Sequence, residues 1–193
     1  MTRRDELLDL FRKSGALLEG HFRLSSGLHS GGYLQCALVL QYPEHAERLG
    51  RAIAEATRAW RPTAVLSPAL GGVVIGHEVG RALGVRALFA ERQDGVLTLR
   101  RGFVLGEADR VLVVEDVLTT GGSTRETMQV ARASGGHVVG AASIVDRSGG
   151  TASFEVPFET LLSIDLATYQ PDVCPLCASG LAVVKPGSRP VVA

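Results

Sequence analysis

Val111-Leu-Val-Val-Glu-Asp-Val-Leu-Thr-Thr-Gly-Gly-Ser-Thr124 runs from four aliphatic residues through two acids into a loop of threonine and glycine. The apolar run predicts a buried strand, and the residues from Ser123 to about Ser134 predict a helix. A strand, a short loop and a helix in that order form the unit from which parallel sheets are built. Ligands of open α/β sheets bind beyond the carboxyl ends of the strands. A helix start offers unpaired backbone N–H groups and a positive dipole end, which suit a phosphate. Gly121 and Gly122 let the backbone approach an anion, and Thr119, Thr120, Ser123 and Thr124 supply hydroxyl donors. Glu115 and Asp116 would repel a phosphate at close range, so they suit sugar hydroxyls with a cation nearby. The pattern therefore asks for a sugar between phosphates, with both acids partly exposed at the strand end. An acidic strand end before an ordinary Ser/Thr helix cap is the plainer alternative, which the length of the string outweighs. The loop is neither a Walker A sequence nor a Gly-x-Gly-x-x-Gly fingerprint.

Outward from this stretch the chain alternates. Leu7, Leu8, Leu10 and Phe11 predict an N-terminal helix stopped near Gly15, and residues 20–39 predict strand, tight loop, strand. Pro43 opens a helix to about Trp60 with Ala46, Leu49, Ile53 and Ala56 inward. Then follow a strand at 64–67, a loop at 68–72, a helix at 73–83 and a strand at 85–90. Asp94-Gly95 marks a hairpin within 91–105. After the central motif comes another buried strand, Val138 to Val145. Such alternation predicts an α/β domain with a parallel sheet and right-handed crossovers, plus an N-terminal subregion.

Composition narrows the function. The 193 residues carry 20 Lys+Arg against 20 Asp+Glu, a balance that disfavours non-specific nucleic-acid binding. No apolar run reaches membrane-spanning length, and the N-terminus lacks a signal core, so a soluble cytoplasmic protein is expected. Three cysteines fit a reducing compartment. Lys13 and Lys185 are the only lysines, and asparagine is absent. Heat adaptation and a high-GC genome explain that bias equally well.

Residues 111–124 resemble the phosphoribosyl pyrophosphate (PRPP) motif of the type I phosphoribosyltransferases. Phe22-Arg-Leu-Ser-Ser-Gly-Leu-His-Ser-Gly-Gly-Tyr-Leu-Gln35 is similar to a segment of the orotate phosphoribosyltransferases. Ser67-Pro-Ala-Leu-Gly-Gly72 resembles their pyrophosphate loop, Val145-Asp-Arg-Ser148 an orotate-binding segment, and Cys174-Pro-Leu-Cys177 with Val184–Arg189 their tail. The resemblance implies one phosphoribosyltransferase domain over 1–193, a type I parallel sheet flanked by helices. Residues 1–40 and the C-terminal segment would form a base-binding hood, and 60–165 the PRPP-binding core. It implies transfer of phosphoribosyl from PRPP to orotate with Mg2+ held mainly through PRPP, in a homodimer. Arg92, Leu70, Gly71, Glu115, Asp116, Val117, Leu118, Thr119, Thr120, Gly121, Gly122 and Ser123 would bind PRPP. Thr119, Arg147, Tyr33 and Leu34 would hold orotate, and Glu115, Asp116, Arg100 and Arg101 would serve catalysis. Many family members have lysine at the positions of Ser25, Gly71 and Gly95, and a histidine near Leu97; this chain offers loop arginines instead. A PRPP-sensing regulator without transfer, or a transferase for a purine or another base, are the alternative readings.

Cys174-Pro-Leu-Cys177 has the spacing of half a zinc site, but no second cysteine pair exists, so the two read as turn cysteines. His21 and His29 read as hydrogen-bonding loop residues.

Overall fold

The computed structural model describes residues 2–24 and 26–186. Ser25, and the part of the tail stretch beyond residue 186, lie outside the described residues. In chain order the elements are α1 (Arg3–Lys13), β1 (Leu17–Arg23), β2 (His29–Leu34), α2 (Ala37–Leu40), α3 (Pro43–Thr57), β3 (Ala64–Pro68) and α4 (Gly71–Leu83). Then come β4 (Arg86–Gln93), β5 (Val96–Leu99), β6 (Arg110–Leu118), α5 (Gly122–Ala133), β7 (His137–Asp146), β8 (Phe158–Ser163), β9 (Thr168–Tyr169) and α6 (Pro175–Ala178). The chain divides into two compact units: one takes the chain up to Leu38 and again from Asp165 onward, the other is Val39–Ile164.

The larger unit carries a six-stranded sheet in the order β5-β4-β3-β6-β7-β8. All its pairings are parallel except the β4–β5 hairpin. Asp94 and Gly95 both have positive φ (51° and 86°) in that hairpin turn, the conformation an Asp-Gly pair favours. From β3 the chain winds through α4 to β4 on one side, whereas from β6 it winds through α5 to β7 on the other. The order reverses between β3 and β6, so their carboxyl ends flank the crevice where such sheets bind ligands.

Packing explains why β6 reads as an unbroken apolar run. Leu66, Val111 and Val113 meet Met128 and Ala131 of α5 on one face of the sheet. Val65 points to the opposite face, beside Gly76 of α4. With both faces covered, each residue of Val111–Val114 is fully buried.

The smaller unit holds a three-stranded antiparallel sheet in the order β1-β2-β9. Its α1 starts with a capping box: Asp5 N–H donates to the Thr2 hydroxyl, and Thr2 N–H donates to the Asp5 carboxylate. The C-terminal segment rejoins the hairpin through Val184, whose N–H donates to the His21 carbonyl and whose carbonyl accepts from Arg23 N–H, both at 2.8 Å.

Two expectations need correcting. Ala56 is exposed; Ala54 and Thr57 take the inward places after Ile53, and the Thr57 hydroxyl donates to the Ile53 carbonyl at 2.8 Å. His21 and His29 are strand residues, not loop residues, and both are buried. Among the described residues, no helix is long and apolar enough to cross a membrane.

Candidate active site

At the carboxyl ends of β3 and β6, Pro68, Ala69, Gly71, Gly72, Arg92, Leu97, Glu115, Asp116 and Ser123 line one cleft. Two helices begin there, α4 after Leu70 and α5 after Gly121, and neither has a side-chain cap. Gly122 N–H makes a long hydrogen bond to the Thr120 hydroxyl at 3.4 Å. No N-cap side chain takes up the first turn of either helix, and such starts suit anions.

The two acids differ. Glu115 is only 7% exposed, against the expectation of partial exposure. It accepts hydrogen bonds from the hydroxyls of Ser123 and Thr124. Ser123 and Thr124, expected as phosphate donors, are thus engaged in fastening the first turn of α5 to the end of β6. Asp116, the next residue, has the opposite orientation in the pleat and borders the cleft half-buried. Burial pushes the Glu115 carboxyl above the usual carboxylate range, the two hydroxyl hydrogen bonds oppose that shift, and the Asp116 charge adds to it. Burial also pushes Asp116 up, opposed by backbone hydrogen bonds from Val117 and its own N–H.

The loop between them is held from outside. Thr119 and Thr120 are exposed, and Gly121 turns the chain with φ 77°. Arg125 donates to the carbonyls of Thr120 (2.9 Å) and Ser153 (3.0 Å) and lies 5.2 Å over the Phe154 ring. Arg147, just after β7, donates its backbone N–H to the Leu118 carbonyl at 2.8 Å, which brings it beside the loop. Leu118 itself is fully buried, and Val117 pairs with Val145 in the ladder.

The other loop is open. Leu70 is 87% exposed, and a peptide in the cis form joins it to Ala69. A Cβ on Gly71 would stand 2.6 Å from an Asp116 carboxylate oxygen, so the two loops touch through a glycine and an acid.

Of the arginines expected in the site, Arg92 alone lines the cleft; it bonds the Gly95 carbonyl at 2.6 Å and pairs with Glu126 at 2.9 Å. Arg100 and Arg101 lie on Glu91 instead, at 3.5 and 2.8 Å. Tyr33 and Leu34 sit on β2 of the smaller unit, Tyr33 tilted against Phe22 with ring centroids 5.9 Å apart and Leu34 paired with Leu17. Arg125 and Glu126 carry no local signal in the sequence, because their roles depend on tertiary neighbours.

The phosphoribosyl transferase domain family matches residues 38–170. The orotate phosphoribosyltransferase of Carboxydothermus hydrogenoformans is 55% identical over 186 residues, 95% of this chain and 97% of the relative. That of Pelotomaculum thermopropionicum is 53% identical over 188 residues, covering 97% and 99%. The chain belongs to the orotate phosphoribosyltransferase family. Among solved structures, the orotate phosphoribosyltransferase of Mycobacterium tuberculosis in complex with PRPP is 27% identical with a TM-score of 0.66, covering 84% of this chain and 96% of that one. That of Aeropyrum pernix is 27% identical with a TM-score of 0.69, covering 82% and 93%. The fold is that of the type I phosphoribosyltransferases, and this member's departures from the family pattern have local causes. Lysine at Gly71 would displace Asp116; lysine at Gly95 would have to adopt a left-handed backbone; Leu97 is buried in the core cluster.

Proposed function

We propose that this chain transfers the 5-phosphoribosyl group of PRPP to orotate, yielding orotidine 5′-monophosphate and pyrophosphate. The observation that carries this reading is the pair of uncapped helix starts in one cleft with the Asp116 carboxylate between them. PRPP has a phosphate at one end, a pyrophosphate at the other and a ribose in the middle. The α5 loop suits the 5′-phosphate, the α4 loop the pyrophosphate, and Asp116 the ribose hydroxyls. The bond between ribose C1 and the pyrophosphate oxygen breaks with its electron pair on oxygen, and the orotate ring nitrogen bonds to C1. The oxocarbenium-like centre that develops is stabilised by nearby negative charge.

Mg2+ fits this cleft. Both Glu115 oxygens accept hydroxyl hydrogen bonds, and Asp116, which accepts backbone hydrogen bonds and borders the cleft, would be the carboxylate to hold the ion. One or two carboxylates plus substrate phosphates is how Mg2+ commonly binds. Once bound, it supplies charge neutralisation for the departing pyrophosphate. Arg147 would pair its planar fork with the orotate carboxylate, and Tyr33 and Leu34 would line the base. Arg100 and Arg101 would leave Glu91 to add fixed positive charge in place of the family's lysines. A homodimer working in the cytoplasm belongs to the same reading.

Orotate absorbance followed with PRPP and Mg2+, against adenine, hypoxanthine and uracil, is the direct test. Orotate alone should be consumed. Consumption of a purine would overturn the base assignment, and PRPP binding with no base consumed would mark a regulator.

A further inference from the structure

In the smaller unit, four side chains that the transfer reaction does not use converge on one point. They are His21 on β1, His29 at the start of β2, Cys174 just before α6 and Cys177 within it. One ligand atom from each lies within 4.8 Å of every other. The distances are 2.9 Å between His21 Nε2 and His29 Nδ1, and 3.6 and 3.8 Å from His21 Nε2 to the sulfurs of Cys174 and Cys177. The Cys177 sulfur stands 3.3 Å from His29 Nδ1. Zinc bonds of ~2.0–2.1 Å to nitrogen and ~2.3 Å to sulfur give a tetrahedron with edges of roughly 3.3–3.8 Å. These four distances lie within about half an ångström of those edges, and the remaining two are within 4.8 Å.

Orientation agrees with spacing. His21 Nδ1 stands 2.7 Å from the Leu181 carbonyl. A carbonyl only accepts, so Nδ1 carries the proton and Nε2 presents its lone pair to the two sulfurs and His29. A ring fixed through its far nitrogen is the usual outer support of a metal-bound histidine. Both thiols are free of disulfides, and three of the four residues are buried.

We propose that His21, His29, Cys174 and Cys177 form a structural zinc site that clips the C-terminal segment to the β1–β2 hairpin. Two sulfurs and two imidazoles in tetrahedral array select zinc over magnesium, and four protein ligands leave no open position for catalysis. Without the clip the segment after Asp165 meets the hairpin through the two-residue β2–β9 pairing, the Ser30 hydroxyl on the Ala167 carbonyl at 3.0 Å, and Val184. Small units commonly add a metal or another staple to a limited core. The cysteine spacing read as half a site because its complement is a histidine pair from the other end of the chain.

The full chain, purified without chelator from zinc-supplemented medium, should contain one zinc ion per molecule by elemental mass spectrometry. Reconstitution with Co2+ alone should give the intense visible bands of tetrahedral cobalt with thiolate charge transfer. Cys174→Ser with Cys177→Ser should lower the metal content to below about a tenth of that, because deprotonated thiolates supply the anionic ligands. His29→Cys keeps four ligands and should retain the ion, so loss of folding in the serine variant cannot imitate the result. Chelation should lower the Tm of the wild-type protein. A wild-type chain that takes up neither Zn2+ nor Co2+ would overturn the proposal. So would a Cys174–Cys177 disulfide in the freshly isolated protein, or undiminished zinc in the serine variant.

Discussion

The two strand-to-helix turns of the cleft share a topology and differ in support. The turn from β6 to α5 is tethered at both ends: Glu115 holds the hydroxyls of Ser123 and Thr124, and Arg125, stacked over Phe154, bonds the Thr120 carbonyl. The turn from β3 to α4 exposes Leu70 and is held at Ala69 by one N–H donated to the Ala90 carbonyl at 2.7 Å. Each helix begins with a glycine, yet for different reasons. A Cβ at Gly71 meets the Asp116 carboxylate at 2.6 Å, whereas at Gly122 it meets only the Thr120 hydroxyl at 3.5 Å. One turn is a preformed cradle that needs no substrate to hold its shape. The other packs its first glycine against the Asp116 carboxylate, so a change at either residue is felt at both.

Replacing that carboxylate should have the largest effect. Asp116→Asn keeps the shape and removes the charge, so kcat should fall on the order of 100-fold or more in the orotate assay. Stability should move the other way. Burial raises the folded pKa of Asp116, so the folded state binds more protons than the unfolded one just above the ordinary carboxylate pKa. Stability is then lost as pH rises through that range, and the amide variant should show a higher Tm at neutral pH, a gain that vanishes in acid. An unchanged kcat would remove Asp116 from the chemistry.

Arg100→Ala with Arg101→Ala should lower kcat by roughly 100-fold with little change in PRPP affinity, the loss of about 2.7 kcal/mol of transition-state stabilisation. A drop of less than about threefold would leave both arginines as partners of Glu91 only.

The glycines sharpen the contrast. Gly71→Ala forces Asp116 aside and should cost about tenfold in kcat/KM together with a lower Tm, a distortion worth about 1.4 kcal/mol. Gly122→Ala should leave the Tm of the ligand-free protein unchanged or slightly raised, because alanine is the better helix former by up to ~1 kcal/mol. Equal destabilisation by both would erase the distinction between the turns.

Arg125→Ala gives the smallest effect. Losing the clamp on the Thr120 carbonyl should weaken PRPP binding severalfold, about 1 kcal/mol, with kcat nearly unchanged. Isothermal titration with PRPP reads this directly.

Much of this was legible from the chain. The 111–124 string, the Asp94-Gly95 turn and the α4 stop at Gly84 have local causes, and the structure places each where local rules put it. Which of two adjacent acids faces inward was not legible. Strand alternation separates Glu115 from Asp116, but a strand buried on both faces shows no polar side from which to set the phase. The edge strand β8, Phe158–Ser163, went unread because its half-buried residues give neither a clear alternation nor a continuous apolar run. Ala56 and Ala54 share one side chain, so only packing tells them apart. The convergence of His21 and His29 with Cys174 and Cys177 spans the length of the chain, and no spacing rule reaches that far.

The discontinuity of the smaller unit bears on how the protein is made. Val39–Ile164 is one uninterrupted stretch, and compact units generally fold as such in the order of their synthesis. The hairpin of β1 and β2 is synthesised earlier, yet its third strand, Thr168–Tyr169, emerges only after the whole larger unit. The first part of the chain to appear is thus the last to be completed, and the nascent hairpin must wait with its β2 edge unpaired.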